Sequence, residues 1–213
     1  ARDPRLNVFH EVLEPGLIRS LLDEAPDLVG ISIPTMAQVI AGVTVAHLLR
    51  AHGYEGHITV GGPHVTMLRE QIARTPALFE VIDSAVMFDG ERPLLAPAEA
   101  LAGNGDLSRV PGLIYSDGEA IRTTSVADPV PMDELPPPDF SGLPLGQYLI
   151  PEPVLPMIGS RGCYHGRCAF CSVGYGGDVR YRQMSPERVV EHMLAVHERT
   201  GARHIWFADE AIT

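Results

Sequence analysis

Along the chain, short apolar runs alternate with longer stretches in which apolar residues recur every three or four positions. DLVGISI (27–33) is rich in branched residues, is bounded by Pro26 and Pro34, and reads as a buried strand. From Met36 to His52 the residues Val39, Ile40, Val43, Ala46, Leu48 and Leu49 fall at helical spacing, with Gly53 as the stop. HITVGG (57–62) reads as the next strand. PHVTMLREQIART (63–75) follows as a helix, with Pro63 near its first position and Val65, Leu68 and Ile72 on one side. VIDSAVMFDGE (81–91) is a third strand running into a turn, and RPLLAPAEALAG (92–103) a proline-interrupted helix. GLIYSDGEAIRT (112–123) carries a hairpin signal at Asp117-Gly118. Strands alternating with helices imply an α/β fold with a parallel sheet.

The pattern changes at Asp128. DPVPMDELPPPDFSGLPLGQYLIPEP (128–153) is dense in proline, keeps neither a helical nor a strand period, and reads as an extended linker. VLPMIGS (154–160) is then a fresh strand. Ser185-Pro186-Glu187 opens a helix whose apolar side is Val189, Val190, Met193, Leu194 and Val196, and Gly201 closes it. HIWFADE (204–210) is another strand, with Trp206 and Phe207 expected in the core and Asp209 and Glu210 carried to its carboxyl tip. Together these form one strand-helix-strand unit of an α/β barrel or open sheet, with chemistry expected at the carboxyl ends of the strands. The chain thus divides into a Rossmann-like domain (1–125), a linker (126–150) and a second α/β segment (151–213).

Composition narrows the classes. With 213 residues, 45% of them hydrophobic, the chain is long enough to bury a substantial core. No apolar run approaches the roughly 18 residues of a membrane span, and the opening ARDPRLNVFHEVLEP lacks the form of a secretory leader. A soluble, cytoplasmic protein without a membrane partner is expected. The net charge of -11 argues against a nucleic-acid partner, which needs clustered Lys and Arg. His10, His47, His52, His57, His192, His197 and His204 share no ligand spacing and read as surface or boundary residues.

All three cysteines, Cys163, Cys168 and Cys171, lie in RGCYHGRCAFCSVGYGG (161–177). An odd number of thiols so close together makes no disulfide framework, and metal binding is the better reading. Gly162, Gly166, Gly174, Gly176 and Gly177 let the backbone wrap a centre closely, and Tyr175 and Tyr181 stand near enough to shield it. A plant-type ferredoxin cluster would require a fourth cysteine. A structural zinc site from the three cysteines plus His165 has the right ligand number and type, and would make a binding module without catalysis. In the first domain, Ser32 to Thr35, Gly61 to His64 and Asp89 to Glu91 fall where open sheets bind ligands. Gly61-Gly62 would let backbone approach a ligand or would simply form a tight turn, and His64 reads equally as a cap or a solvated residue.

SRGC and CAFCSV, with Phe170 directly before the last cysteine, on a loop after the first strand of a barrel, resemble the radical S-adenosylmethionine enzymes. VGGPHVT (60–66), FDGE (88–91), the GLIY hairpin and LPPPDF (135–140) resemble the cobalamin-binding domain that precedes the barrel in the cobalamin-dependent branch of that superfamily. The resemblance implies a cobalamin-binding Rossmann-like sheet, a linker and the beginning of a radical SAM (β/α) barrel. It implies that Cys163, Cys168 and Cys171 hold a 4Fe–4S cluster whose fourth iron takes the amino and carboxylate groups of S-adenosylmethionine. Phe170 would lie near the adenine. Asp209 and Glu210 would meet the amino group, or else serve as an acidic cap after the strand. Ser32, Thr35, Gly61, Gly62, His64, Gly90 and Glu91 would contact the corrin or its nucleotide tail; without an Asp-x-His-x-x-Gly sequence, His64 is not read as a cobalt ligand. The implied activity starts from a 5′-deoxyadenosyl radical and leads to methyl transfer or rearrangement on a small-molecule or peptide substrate, with an electron donor such as flavodoxin or ferredoxin. The alternative is a non-catalytic cobalamin- or zinc-binding module. Two departures stand out. Tyr164, His165, Gly166 and Arg167 separate the first two cysteines, one more residue than the family's spacing, and Gly166 lets the loop bulge. The stretch after Ile150 is far shorter than a barrel of roughly 250 residues, and the stretch before Pro26 is short for a first strand and helix, so both ends read as clipped.

Overall fold

The structure is a computed structural model that describes residues 3–103, 106–171 and 180–211. The chain divides into two units, Ala1–Pro129 and Val130–Thr213.

In the first unit, two short helices, α1 (Phe9–Leu13) and α2 (Arg19–Glu24), flank a π-helical turn and precede the sheet. Strands β1 (Leu28–Ser32), β2 (His57–Gly61), β3 (Ser84–Val86), β4 (Leu113–Ser116) and β5 (Ile121–Thr123) then pair in sequence order. The first three run parallel, while β4 and β5 are antiparallel additions, so the expected hairpin extends the same sheet. Helix α3 (Val39–Ala51) links β1 to β2. The expected helix after β2 is two short ones, α4 (Pro63–Met67) and α5 (Arg69–Ile72), broken at Leu68. The 92–103 stretch forms one helix, α6 (Glu91–Gly103), with Pro93 in its first turn where a missing N–H costs little. Only Val29 is buried in β1, contrary to the expected buried strand, because β1 is an edge strand with one neighbour. The core runs through β2 and α3: Leu49, Ile58 and Ile114 are essentially inaccessible, and each contributes roughly 1.5–3 kcal/mol by burial.

At the amino end of this sheet, Arg50 donates to the carbonyls of Tyr54 and Gly56 and to the Asp83 carboxylate, which also accepts from the Ile58 amide. Beside it, the Ser84 hydroxyl lies 2.9 Å from the Thr59 hydroxyl and 2.8 Å from His57 Nε2. The turn between β4 and β5 is held by Asp117. Its carboxyl is lowered to about 2 by the hydrogen bond from Arg122 and by the amides of Ala120 and Glu119.

In the second unit, β6 (Val154–Met157) leads to β7 (Ser160–Arg161), which pairs antiparallel with β8 (Arg182–Gln183). Helix α7 (Pro186–Thr200) follows, and β9 (His204–Phe207) returns parallel to β6. The helix starts and stops where the sequence places it: the Ser185 side chain accepts from the Arg188 amide, and the Gly201 amide closes onto the His197 carbonyl. Much of the proline-rich stretch belongs to this unit's packing. Met132 and Leu135 are buried with Met184, and Asp133 caps the Ser185 amide.

Three expectations are corrected here. Trp206 is 63% exposed, not core, because strand alternation turns Ile205 and Phe207 inward against α7 and leaves Trp206 on the other face with Val154. On α7, the inward row is buried His192 and Val196 with half-buried Val189 and Met193, whereas Val190 and Leu194 are exposed, since one helical face is narrower than the count of apolar residues. His192, read as a boundary residue, is 2% exposed; His57 and His10 are buried too.

Burial, with the nearby Arg188 guanidinium second, pushes His192 below the usual imidazole value, against smaller opposing effects from Glu191, the Leu135 carbonyl and Asp133. Burial likewise lowers His57, opposed by Asp83. The unfolded chain therefore binds more protons than the native one below the ordinary value near 6.5. This contribution to stability is fully present above that value and is lost as pH falls through it toward the folded-state values. The urea midpoint of each unit is expected to drop between pH 7.5 and 5.5, and His192→Gln is expected to flatten the drop for the second unit only. An unchanged slope in that variant would show that His192 titrates alike in both states.

Candidate functional site

The carboxyl end of β6 is built from residues far apart in sequence. Beyond Met157 the chain passes through Gly159 into β7 and then the cysteine loop. The Gly159 amide points at Asp209, 3.0 and 3.1 Å from its two carboxylate oxygens. The Ser160 hydroxyl lies 2.5 Å from Asp209 Oδ1 and 2.8 Å from the Ala211 carbonyl. The Gly159 carbonyl accepts from the Met184 amide at 2.7 Å. A cavity of about 350 Å³ opens here, lined by Ser160, Tyr181, Met184, Val189, Phe207 and Asp209 among others. Asp209 is half-buried, and Glu210 is exposed.

On the loop, Cys163 is half-buried, and Cys168 and Cys171 are exposed; all three are free thiols. The Cys171 amide donates to the Cys168 carbonyl at 3.1 Å, a tight turn that brings these two positions close. Gly166 has φ +56°, in the left-handed region that glycine adopts without strain. Tyr164 packs edge-on against Tyr181, with ring centroids 5.9 Å apart. Phe170 is 92% exposed. Gly174, Tyr175, Gly176 and Gly177 lie outside the described residues. Three thiols on one loop fit an iron–sulfur ligand set in number and chemistry. Among the described residues no group of three His, Cys, Asp or Glu side chains is placed to share a metal ion.

In the first unit, the structure gathers the sequence-derived residues at one edge. Ser32 pairs with Gly61 across β1 and β2, and Gly61 and Gly90 both pack toward Val86. The turns are cross-braced: the Ile33 amide donates to the Gly61 carbonyl at 2.7 Å, and the His64 amide to the Ile33 carbonyl at 3.3 Å. Ser32 and Thr35 are exposed, and His64 is half-buried. Thr35 reaches Gln38, 3.1 Å away. Gly62 itself is accounted for by the protein, since a Cβ there would meet the Ile33 backbone at 3.0 Å. Exposed Met36, Ile40 and Met67 add apolar surface on the elements that begin at this edge.

Sequence reasoning missed Thr66 and Ser160. Buried Thr66 accepts the Phe88 amide at 2.8 Å and lies 3.3 Å from the Gly62 carbonyl, tying the β2 turn to the β3 turn. It thereby holds Phe88 at φ +61°, under the Arg69 guanidinium, just before Asp89, Gly90 and Glu91. Both stand inside quoted motifs, VGGPHVT and SRGC, but the role of neither is legible there, because each acts through a partner more than 20 positions away.

No protein-family model matches the chain. It is 32% identical over 193 residues to an uncharacterised methyltransferase of Pyrococcus horikoshii, covering 88% of this chain and 40% of that protein. It is 28% identical over 208 residues to 4′-phospho-dehydrooxetanocin synthase of Priestia megaterium, covering 91% and 26%. The chain thus spans less than half the length of either relative. Among solved structures, it is similar to the radical S-adenosylmethionine methyltransferase TsrM of Kitasatospora setae, with TM-score 0.72, 18% identity, and 94% of this chain and 41% of that one covered. It is similar also to the cobalamin-dependent S-adenosylmethionine radical enzyme OxsB, with TM-score 0.70, 24% identity, and coverage of 92% and 27%. Among the described residues no helix is long and apolar enough to cross a membrane. The chain therefore has the α/β fold of the corresponding parts of TsrM and OxsB.

Proposed function

We propose that this chain carries the cobalamin-binding and cluster-bearing parts of a radical S-adenosylmethionine enzyme that transfers a methyl group. The observation that carries the reading is the cysteine loop: three thiols on one loop leaving the carboxyl end of the first strand of a β-α-β unit, beside a cavity lined by Ser160 and Asp209. Likeness to a methyltransferase and to OxsB, whose structure holds aqua-cobalamin and S-adenosylmethionine, supports it. Cys163, Cys168 and Cys171 would hold the 4Fe–4S cluster, which when bound supplies a single electron to S-adenosylmethionine, while cobalamin supplies the methyl carrier. The exposed Phe170 ring would cover the adenine. At the tip of β9 a carboxylate of the Asp209–Glu210 pair would meet the sulfonium cofactor's ammonium group. Ser32, Thr35, His64 and Glu91 would contact the corrin's amide rim, with Gly61, Gly62 and Gly90 keeping the turns low beneath it. Flavodoxin or ferredoxin would be the electron donor, and the methyl acceptor a small molecule or peptide. Anaerobic reconstitution with iron and sulfide is expected to give a reducible cluster whose paramagnetic resonance signal changes on adding S-adenosylmethionine. Hydroxocobalamin is expected to show a perturbed visible spectrum at stoichiometric protein. Tight zinc with no iron chromophore would replace this reading with a structural site.

A further inference from the structure

The notch between β6 and β9 assigns a different task to one of the two carboxylates at the strand tip. Asp209 is engaged on both oxygens by the Gly159 amide, and on Oδ1 by the Ser160 hydroxyl as well. The next peptide is gripped as well, the Gly159 carbonyl taking the Met184 amide. Ser160 then pairs with Gln183 and Arg161 with Arg182, so the segment that enters the cysteine loop and the segment that leaves it are held together at their base. Ser160 is buried and stands three residues before Cys163. The neighbouring Glu210 is exposed.

We propose that Asp209 is a positioning residue for the cysteine loop: its carboxylate holds the Gly159 amide and the Ser160 hydroxyl at the base from which Cys163 is presented. The proposal rests on the reading above for the cofactor, but its geometric half is testable without one. In the metal-free chain, Asp209→Ala is expected to speed amide exchange at Gly159 and Arg161 by on the order of tenfold or more. Asp209→Asn, which keeps an oxygen acceptor, is expected to stay near wild type, and Glu210→Gln to change nothing. Wild-type exchange in Asp209→Ala overturns the proposal. After anaerobic reconstitution, Asp209→Ala should retain several-fold less iron than wild type, with Asp209→Asn recovering most of it. Glu210→Gln should load fully. If Asp209→Asn loads fully and loses the change in its resonance signal on adding S-adenosylmethionine, Asp209 touches the cofactor and the assignment is wrong. Should Asp209→Ala fail to fold by circular dichroism, Ser160→Ala, which deletes only the hydroxyl, is expected to show the same exchange and iron losses in smaller degree, and wild-type behaviour there overturns the proposal. A wild-type chain that takes up no cluster sinks the function proposed above, and exchange at Gly159 then decides the positioning role by itself.

Discussion

Gly62→Ala is expected to destabilise the first unit by about 3 kcal/mol or more. Two costs combine at this position. The residue has φ +104° and ψ 171°, a region that only glycine adopts readily. In addition, a Cβ built there meets the carbonyl carbon and oxygen of Ile33 at 3.0 Å and its amide nitrogen at 3.1 Å. These are backbone atoms, fixed by the hydrogen bonds that Ile33 makes to Gly61 and His64, so no flexible side chain can move aside. The expected result in urea is a midpoint far below wild type with an unchanged slope. Gly16→Ala is the control: its Cβ meets nothing within 4 Å, and the effect should stay within about 1 kcal/mol. If Gly62→Ala unfolds at the wild-type midpoint, the turn relaxes more easily than its bracing implies. Because the same turn presents Gly61 and His64 at the sheet's carboxyl edge, hydroxocobalamin titration of the variant, under conditions where it remains folded, should also show a weaker spectral change.

The second large effect concerns the thiols. Under the proposed function, Cys168→Ala and Cys171→Ala should each abolish the reducible cluster, because removing a thiolate leaves too few ligands to hold a cubane open at one corner. His165→Ala should leave iron content and resonance signal essentially at wild type. A four-coordinate zinc site predicts the opposite for His165, whose loss would weaken metal binding as much as the loss of a cysteine. Cys163→Ala reports on the extra residue between the first two cysteines. The left-handed Gly166 accommodates that residue as a bulge, and Cys163 is then expected to behave like the other two. A cluster retained in Cys163→Ala would mean that the bulge has carried this thiol out of the ligand set.

Local signals in the sequence were enough for elements whose cause is local. Ser185-Pro186 and Gly201 delimit α7 through a cap, a preset φ and a closing amide bond. Branched residues between prolines mark β1, and Asp117-Gly118 marks the β4–β5 turn through the aspartate's own amide contacts. The clustering of three thiols within one loop is likewise a fact of sequence, and so is the chemistry those thiols offer.

What sequence left open depended on groups that meet only after folding. The edge position of β1, the outward face of Trp206 and the burial of His192 follow from which strand or helix packs next to which, and side-chain type does not encode that choice. Asp209 and Glu210 are chemically near-equivalent neighbours in the chain. Only the closure of β9 onto β6 separates them, engaging one carboxylate on the peptide that launches the cysteine loop and leaving the other in solvent. Periodicity and spacing thus determine which segments fold and which atoms can react. The pairing of distant strands decides which of those atoms spend their hydrogen bonds on the protein, because donors and acceptors far apart in the chain meet only once the strands pair.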